Sequence, residues 1–185
     1  MSARVPYVLS VVMVAATALV LHLMGRIAIC QCGTVELWYG NASGPGNSQH
    51  ISDWYSFSHL IHGFIFFGLL WLLRRRLSIG ARLAISLAVE CAWEIVENTP
   101  WIIDRYRETT VSLDYTGDSI LNSMCDIGFM ALGFWLASRL PAWATVVIAV
   151  ALEIWVGLTI RDNLTLNVLM LLWPLQAVRD WQAGA

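Results

Sequence analysis

Long apolar runs alternate with short polar stretches along this chain. Residues 7–23, 57–73 and 120–136 are apolar on almost every side of a helix. A helix of a soluble protein keeps a polar face, and a helix that crosses a bilayer needs about 20 mainly apolar residues. The pattern therefore predicts an all-α protein, a polytopic bundle of membrane helices.

The whole pattern predicts six helical segments within one integral membrane domain of residues 1–185. They cover residues 7–24, 52–73, 82–103, 118–140, 143–160 and 164–173. The last segment stops at Pro174 and is short for an ordinary span, so we expect five or six membrane segments. Residues 26–55 and 104–117 are the two predicted external loops.

Composition and charge agree with a membrane location and set its orientation. Hydrophobic residues make up 58% of the chain and charged residues 13%. Arginines 74–76 and Arg82 crowd one short connection, which the positive-inside rule places in the cytoplasm. The N-terminus, with Arg4, is then cytoplasmic too. No other basic run is dense enough to predict a nucleic-acid partner.

The third predicted helix carries three acids on one narrow face, at Glu90, Glu94 and Glu97. Each ionised group at membrane depth costs roughly 2.5–3.5 kcal/mol on insertion scales, so these acids must be paired, protonated or in contact with water. Glu90 is the deepest, and no basic residue lies one helical turn from it. We therefore expect Glu90 to be protonated, with Glu90→Gln close to neutral for stability.

The neighbouring helices carry complementary groups at a similar depth. His59 and His62 share a face near the start of the second helix. Asp118, Asn122 and Asp126 recur every four residues at the start of the fourth. In that same helix the small residues at positions 128 and 133 allow close approach of helix backbones. We expect these polar groups to converge below the outer surface.

Imidazole and carboxylate together are ligands for divalent metals such as zinc or manganese. The candidate metal ligands are His59, His62 and Asp126. The candidate catalytic groups are Glu94, Glu97, Asp118 and Asn122. Asp53, just upstream of the second helix, is expected to orient one of the histidines.

Four cysteines give no disulfide framework. Cys30 and Cys32 lie in the first predicted loop, where they can form a disulfide, a pair of metal ligands or two free thiols. Cys91 and Cys125 lie in apolar helices.

Four motifs carry a family resemblance: QHISDWYSFSHLIHGFIF, AVECAWEIVENTPWIIDRYR, LDYTGDSILNSMCD and IRDNLTLNVLMLLWP. With them the chain resembles an uncharacterised family of proteobacterial inner-membrane proteins. More distantly, residues 53–140 are similar to VanZ-like membrane proteins, although Glu97-Asn98 stands near the position of their Glu-Gln pair. The resemblance implies a multi-pass protein of the inner membrane and brings no established reaction.

Three functions are compatible with the sequence. The first is a membrane-embedded enzyme, metal-dependent or acid–base, acting on a lipid-linked or envelope substrate. The second is a scaffold or assembly factor whose polar residues join helices. The third is a proton- or ion-coupled permease. Membrane lipid surrounds the protein in each case.

Overall fold

The computed structural model describes residues 5–110 and 115–184, and these fold into eight α-helices. The helices are α1 Val5–Leu23, α2 Ser56–Trp71, α3 Ile79–Glu97, α4 Pro100–Thr109, α5 Ile120–Arg139, α6 Ala142–Ile160, α7 Leu164–Leu172 and α8 Gln176–Ala183. The all-α prediction is confirmed. Arg4 and residues 111–114 of the second predicted loop lie outside the described residues.

Three helices of the described chain, α1, α5 and α6, are long and apolar enough to cross a membrane. Helix α2 is apolar but has only 16 residues. Helix α3 has 19 residues but carries Arg82 and the three glutamates. Membrane association is thus supported by three candidate spans, and the further spans remain a prediction.

The prediction of one helix over residues 82–103 is wrong. Helix α3 ends at Glu97, Thr99 is extended, and Pro100 begins the separate helix α4. Proline has no N–H to donate and disfavours the helical conformation in the residue before it, so it stops α3 and suits the first position of α4. Helix α4 occupies much of the predicted second loop.

Two glycines allow α2 and α5 to pack at close range. A Cβ at Gly63 would overlap the carbonyl oxygen of Met130, and a Cβ at Gly133 would overlap that of Leu60. The close approach predicted for Gly133 is therefore present. The same prediction for Gly128 is wrong, because no atom of the described part of the chain lies within 4 Å of a Cβ built there. His59, one turn before Gly63, is thereby brought against α5.

The first predicted loop folds over the beginning of α5. The backbone N–H groups of Ile120 and Leu121 donate to the carbonyls of Ile27 and Ala28, at 2.8 and 3.1 Å. Ser119 N–H donates to the carbonyl of Ser48 at 3.0 Å. The first amides of a helix have no partner within it, so these bonds both cap α5 and fix the loop.

Candidate functional site

A cleft lies where α2 begins and α3 ends, with about 630 Å³ of empty volume including its open mouth. Its acidic lining includes Glu97, Asp118 and Asp126. Trp93 and Leu164 belong to its apolar lining. The cleft thus places acids beside an apolar surface, at the end of the bundle that the first predicted loop covers.

Both histidines of α2 contact Glu90, and with the nearby acids they form a polar cluster of His59, His62, Glu90, Glu94, Glu97, Asp118 and Asp126. His59 Nδ1 lies 2.6 Å from Glu90 Oε1, and His62 Nδ1 lies 3.1 Å from Glu90 Oε2. Glu90 is fully buried. The expectation that Glu90 lacks a basic partner is wrong, because its partners come from α2, and spacing along α3 alone does not reveal them.

Glu94 is fully buried one turn further along α3. Among the described residues, neither of its carboxylate oxygens has a hydrogen-bond partner. Its Oε1 lies 3.6 Å from His59 Nδ1. That nitrogen pairs with Glu90 instead, at 2.6 Å. Burial of a carboxylate without a partner is costly, so Glu94 must hold a proton or face a cation.

Glu97 is the last residue of α3 and lies about one turn beyond Glu94. Its Oε1 lies 3.1 Å from the hydroxyl oxygen of Tyr106, and its Oε2 is buried without a partner among the described residues. Tyr106 OH also lies 2.9 Å from Asn167 Oδ1. The sequence prediction does not include Tyr106 in the site, because it assigns residues 104–117 to an external loop.

Asp126 approaches His59 from α5. Its Oδ1 accepts a hydrogen bond from Ser56 Oγ at 3.0 Å, and its Oδ2 lies 3.8 Å from His59 Nε2. His59 therefore stands between Glu90 on one ring nitrogen and Asp126 on the other. His62 turns to Glu90 instead, so the structure does not bring His59, His62 and Asp126 around one point.

Asp118 is held by two neighbouring side chains. Its Oδ2 accepts from Asn98 Nδ2 at 3.0 Å, and its Oδ1 accepts from Tyr115 OH at 2.8 Å. Burial raises the pKa of the Asp118 carboxyl to about 6, although the bonds from Tyr115 and Asn98 favour its charged form. Asn98 is also absent from the predicted site, although it lies within the motif AVECAWEIVENTPWIIDRYR.

Asn122 and Asp53 organise the loop. Asn122 Nδ2 donates to the carbonyl of His50 at 3.0 Å, which directs this amide to the loop. Asp53 accepts from the backbone N–H of Ser48 and of Tyr55, at 2.9 and 2.8 Å. Both of its oxygens thus bind backbone amides before α2, and neither bonds to a histidine. Their contacts suit a structural role.

Two groups of side chains in the cluster have metal-ligand spacing, and both contain His59. In each, the donor atoms lie within 4.8 Å of one another. One group adds His62 and Glu90, and the other adds Glu94 and Glu97. Glu90 already has both oxygens paired, whereas Glu94 and Glu97 together offer three oxygens without a partner among residues 5–110 and 115–184. The second group is therefore better suited to a cation.

The fold and the cleft define the class of this protein. It is an all-α protein with candidate membrane spans and a buried cluster of imidazoles and carboxylates. The family model described as "Protein of unknown function (DUF2585)" matches residues 21–184. The chain belongs to this family, whose curated relatives are called UPF0314 proteins. The predicted membership of an uncharacterised family is confirmed, and the distant VanZ-like resemblance stays a prediction.

The curated relatives are similar over nearly their whole length. A UPF0314 protein of Sinorhizobium fredii is 61% identical over 171 residues, which cover 92% of this chain and 87% of the relative. A UPF0314 protein of Paracoccus denitrificans is 56% identical over 97% of this chain and 93% of its own. A UPF0314 protein of Sphingopyxis alaskensis is 53% identical over 98% of this chain and 96% of the relative. No solved structure matches the chain significantly.

Proposed function

We propose that the cleft is the active site of a membrane-embedded enzyme that binds one divalent cation through His59, Glu94 and Glu97. The observation that carries this proposal is the buried Glu94 carboxylate, whose two oxygens have no partner in the described chain. A cation at this point compensates the buried charge and brings the donor atoms together. Imidazole with carboxylate oxygens suits Mn²⁺, Zn²⁺ or Fe²⁺.

The neighbouring contacts support His59 as a ligand. A metal-bound histidine usually donates its second ring N–H to a carboxylate or carbonyl, which fixes the ring. His59 Nδ1 is 2.6 Å from Glu90, so Glu90 is suited to this role and Nε2 stays available. Asp126 Oδ2, 3.8 Å from that Nε2, can join the coordination. This ligand set differs from His59, His62 and Asp126 because His62 faces Glu90.

The chemistry that follows is activation of water. A divalent cation lowers the pKa of a bound water and so supplies a nucleophile at neutral pH. Asp118, a cleft carboxylate outside this ligand set, can take the proton of that water. The reaction class is therefore metal-assisted hydrolysis or transfer.

The cleft lining favours an amphiphilic substrate. Trp93, Leu164 and Val168 are apolar residues of the same cleft that contains the acids. A substrate with an apolar chain and a polar reacting group satisfies both surfaces. We propose a lipid-linked or envelope substrate, bound at the outer side of an inner-membrane protein with five or six spans and a cytoplasmic N-terminus.

Elemental analysis of mildly purified, folded protein tests the cation site. We expect about one divalent ion per chain in the wild type and in Glu108→Gln, whose glutamate is exposed on α4. Glu94→Gln and His59→Ala should lose the ion while circular dichroism shows retained helix. His62→Ala should keep it, since His62 contacts Glu90. Folded wild type that stays metal-free in added Mn²⁺ or Zn²⁺ would favour the scaffold.

Water access separates an enzyme from a closed structural metal site. In Mn²⁺-loaded protein, electron–nuclear double resonance in H₂O and D₂O should detect exchangeable protons of a water bound to the ion. Asp118→Asn should keep the ion and that water but slow any turnover. A bound ion without exchangeable water would contradict the hydrolytic proposal while leaving the cation site intact.

A further inference from the structure

A second reactive group lies in the loop that covers the cleft. Cys30 and Cys32 form a disulfide between residues only two positions apart. Their surroundings differ, because Cys30 is 7% exposed whereas Cys32 is exposed. The cleft chemistry proposed above does not involve either sulfur.

Stabilisation of the fold is a poor explanation for this bond. A disulfide stabilises mainly by restricting the unfolded chain, and the effect grows with the length of the loop that it closes. A bond between Cys30 and Cys32 encloses a single residue. The same segment is already fixed to α5 by the bonds from Ile120 and Leu121 to the carbonyls of Ile27 and Ala28.

The surroundings of Cys30 suit a leaving thiolate. The backbone N–H of Cys32 donates to Cys30 Sγ at 3.2 Å. A ring nitrogen of the buried His50 and both sulfurs lie within 4.8 Å of one another. His50 Nδ1 accepts from the backbone N–H of Glu36 at 3.2 Å, so the proton of the neutral ring is on Nε2. Hydrogen-bond donors and imidazole both stabilise a thiolate.

We propose that Cys30 and Cys32 form a redox-active disulfide that is reduced by a dithiol of another protein. A thiolate of the dithiol attacks the exposed Sγ of Cys32, a mixed disulfide forms, and Cys30 leaves as a thiolate. The second thiol of the dithiol loses its proton and attacks the dithiol sulfur that is bonded to Cys32, which releases Cys32 as a thiolate. Two electrons pass to this protein, and the partner ends as a disulfide.

The fixed position of His50 supports this proposal. Asn122 Nδ2 donates to the carbonyl of His50, and the imidazole stacks on Tyr39 with ring centroids 5.0 Å apart. The ring is thus held beside the sulfurs on its backbone side and on its face. His50 is therefore a positioning residue that stabilises the Cys30 thiolate.

Redox titration of the full-length protein in detergent tests the exchange. The protein should carry Cys91→Ala and Cys125→Ala, which remove the two free thiols. In buffers of reduced and oxidised glutathione, we expect reversible reduction with unchanged circular dichroism, read as two added maleimides by mass spectrometry. Reduction that requires denaturant would contradict the proposal. Reduced protein that binds Zn²⁺ and resists reoxidation would replace it with a metal site.

Single-cysteine variants in the same background test the direction of attack. Cys30→Ser leaves the exposed Cys32, which should form a mixed disulfide with oxidised glutathione. Cys32→Ser leaves the buried Cys30, which should react at least about tenfold more slowly. Equal rates would contradict the assigned roles. His50→Gln should shift the glutathione ratio at half-reduction, and an unchanged ratio would contradict the role of His50.

Discussion

His59 Nδ1 lies 2.6 Å from Glu90 Oε1, a contact that joins α2 to α3 in the middle of the polar cluster. His62 Nδ1 reaches the same carboxylate. A hydrogen bond to a charged group contributes about 1.5–3 kcal/mol, and the amide nitrogen of Gln cannot accept from an imidazole N–H as a carboxylate oxygen does. We therefore expect Glu90→Gln to lower the thermal midpoint clearly in detergent, contrary to expectation from the sequence. The exposed Glu108→Gln is the control, and equal midpoints would contradict the pairing.

The crossing of α2 and α5 predicts opposite effects at two pairs of glycines. Gly63→Ala and Gly133→Ala place a methyl group on a facing backbone and should cost about 1–3 kcal/mol by overpacking. Gly68→Ala and Gly128→Ala meet open space and should be neutral or slightly stabilising, because alanine favours helix. Thermal unfolding of the four variants measures this. A similar loss at all four would exclude the close crossing.

The orientation in the membrane remains a proposal that labelling tests. Positions 43 and 78 are both exposed in the chain, so each can react when the reagent reaches it. We expect a membrane-impermeant maleimide to label Ser43→Cys in intact cells but not Ser78→Cys. The exposed arginines 74–76 carry this prediction, because Arg82 is buried beside Phe67. Labelling after permeabilisation controls for reactivity. Labelling of position 78 in intact cells would reverse the orientation.

Stability should fall as the pH rises from about 4 to about 6. Burial raises the pKa of Asp162, as of Asp118, from 3.8 to about 6. Below pH 3.8 each carboxyl is protonated in the folded and in the unfolded protein, and its contribution to the free energy of unfolding is full. This contribution is lost as the pH rises through the folded pKa, and the loss is on the order of 3 kcal/mol for each carboxyl. Thermal midpoints at pH 4 and 7 measure this.

Asp162→Asn isolates one of these carboxyls. The variant is expected to be less stable at both pH values, because an amide nitrogen cannot accept the hydrogen bonds that Asp162 receives. Its midpoint should nevertheless differ less between pH 4 and 7 than that of the wild type. Asp104→Asn, at an exposed position, should keep the wild-type difference. An unchanged difference in Asp162→Asn would contradict the assignment.

Helical periodicity predicted most of the fold. It located α1, α5 and α6 to within a few residues because their apolar runs are long and uninterrupted. It failed after Glu97, where Pro100 begins a second helix that the prediction had joined to the first. It also missed α8, which is short and polar.

The candidate site was predicted in part. Glu94 and Glu97 share a face of one helix and were predicted to lie at the depth of His59. The structure brings the three side chains together. Helical spacing did not assign partners across helices, so Glu90 was predicted to lack a basic partner and Asn122 was included in the site. Those pairings depend on helix rotation and on the Gly63 and Gly133 contacts, which a single sequence does not specify.

The most direct test of the cation site compares the thermal midpoints of wild type and Glu94→Gln, each in EDTA and in excess Mn²⁺. Without metal, the neutral amide should make Glu94→Gln as stable as the wild type or more so, because it removes a buried carboxylate that has no partner in the described chain. With Mn²⁺, the wild type alone should gain stability, as binding to the folded state requires. A wild type unaffected by Mn²⁺, or an equal gain in Glu94→Gln, would contradict a cation held by His59, Glu94 and Glu97.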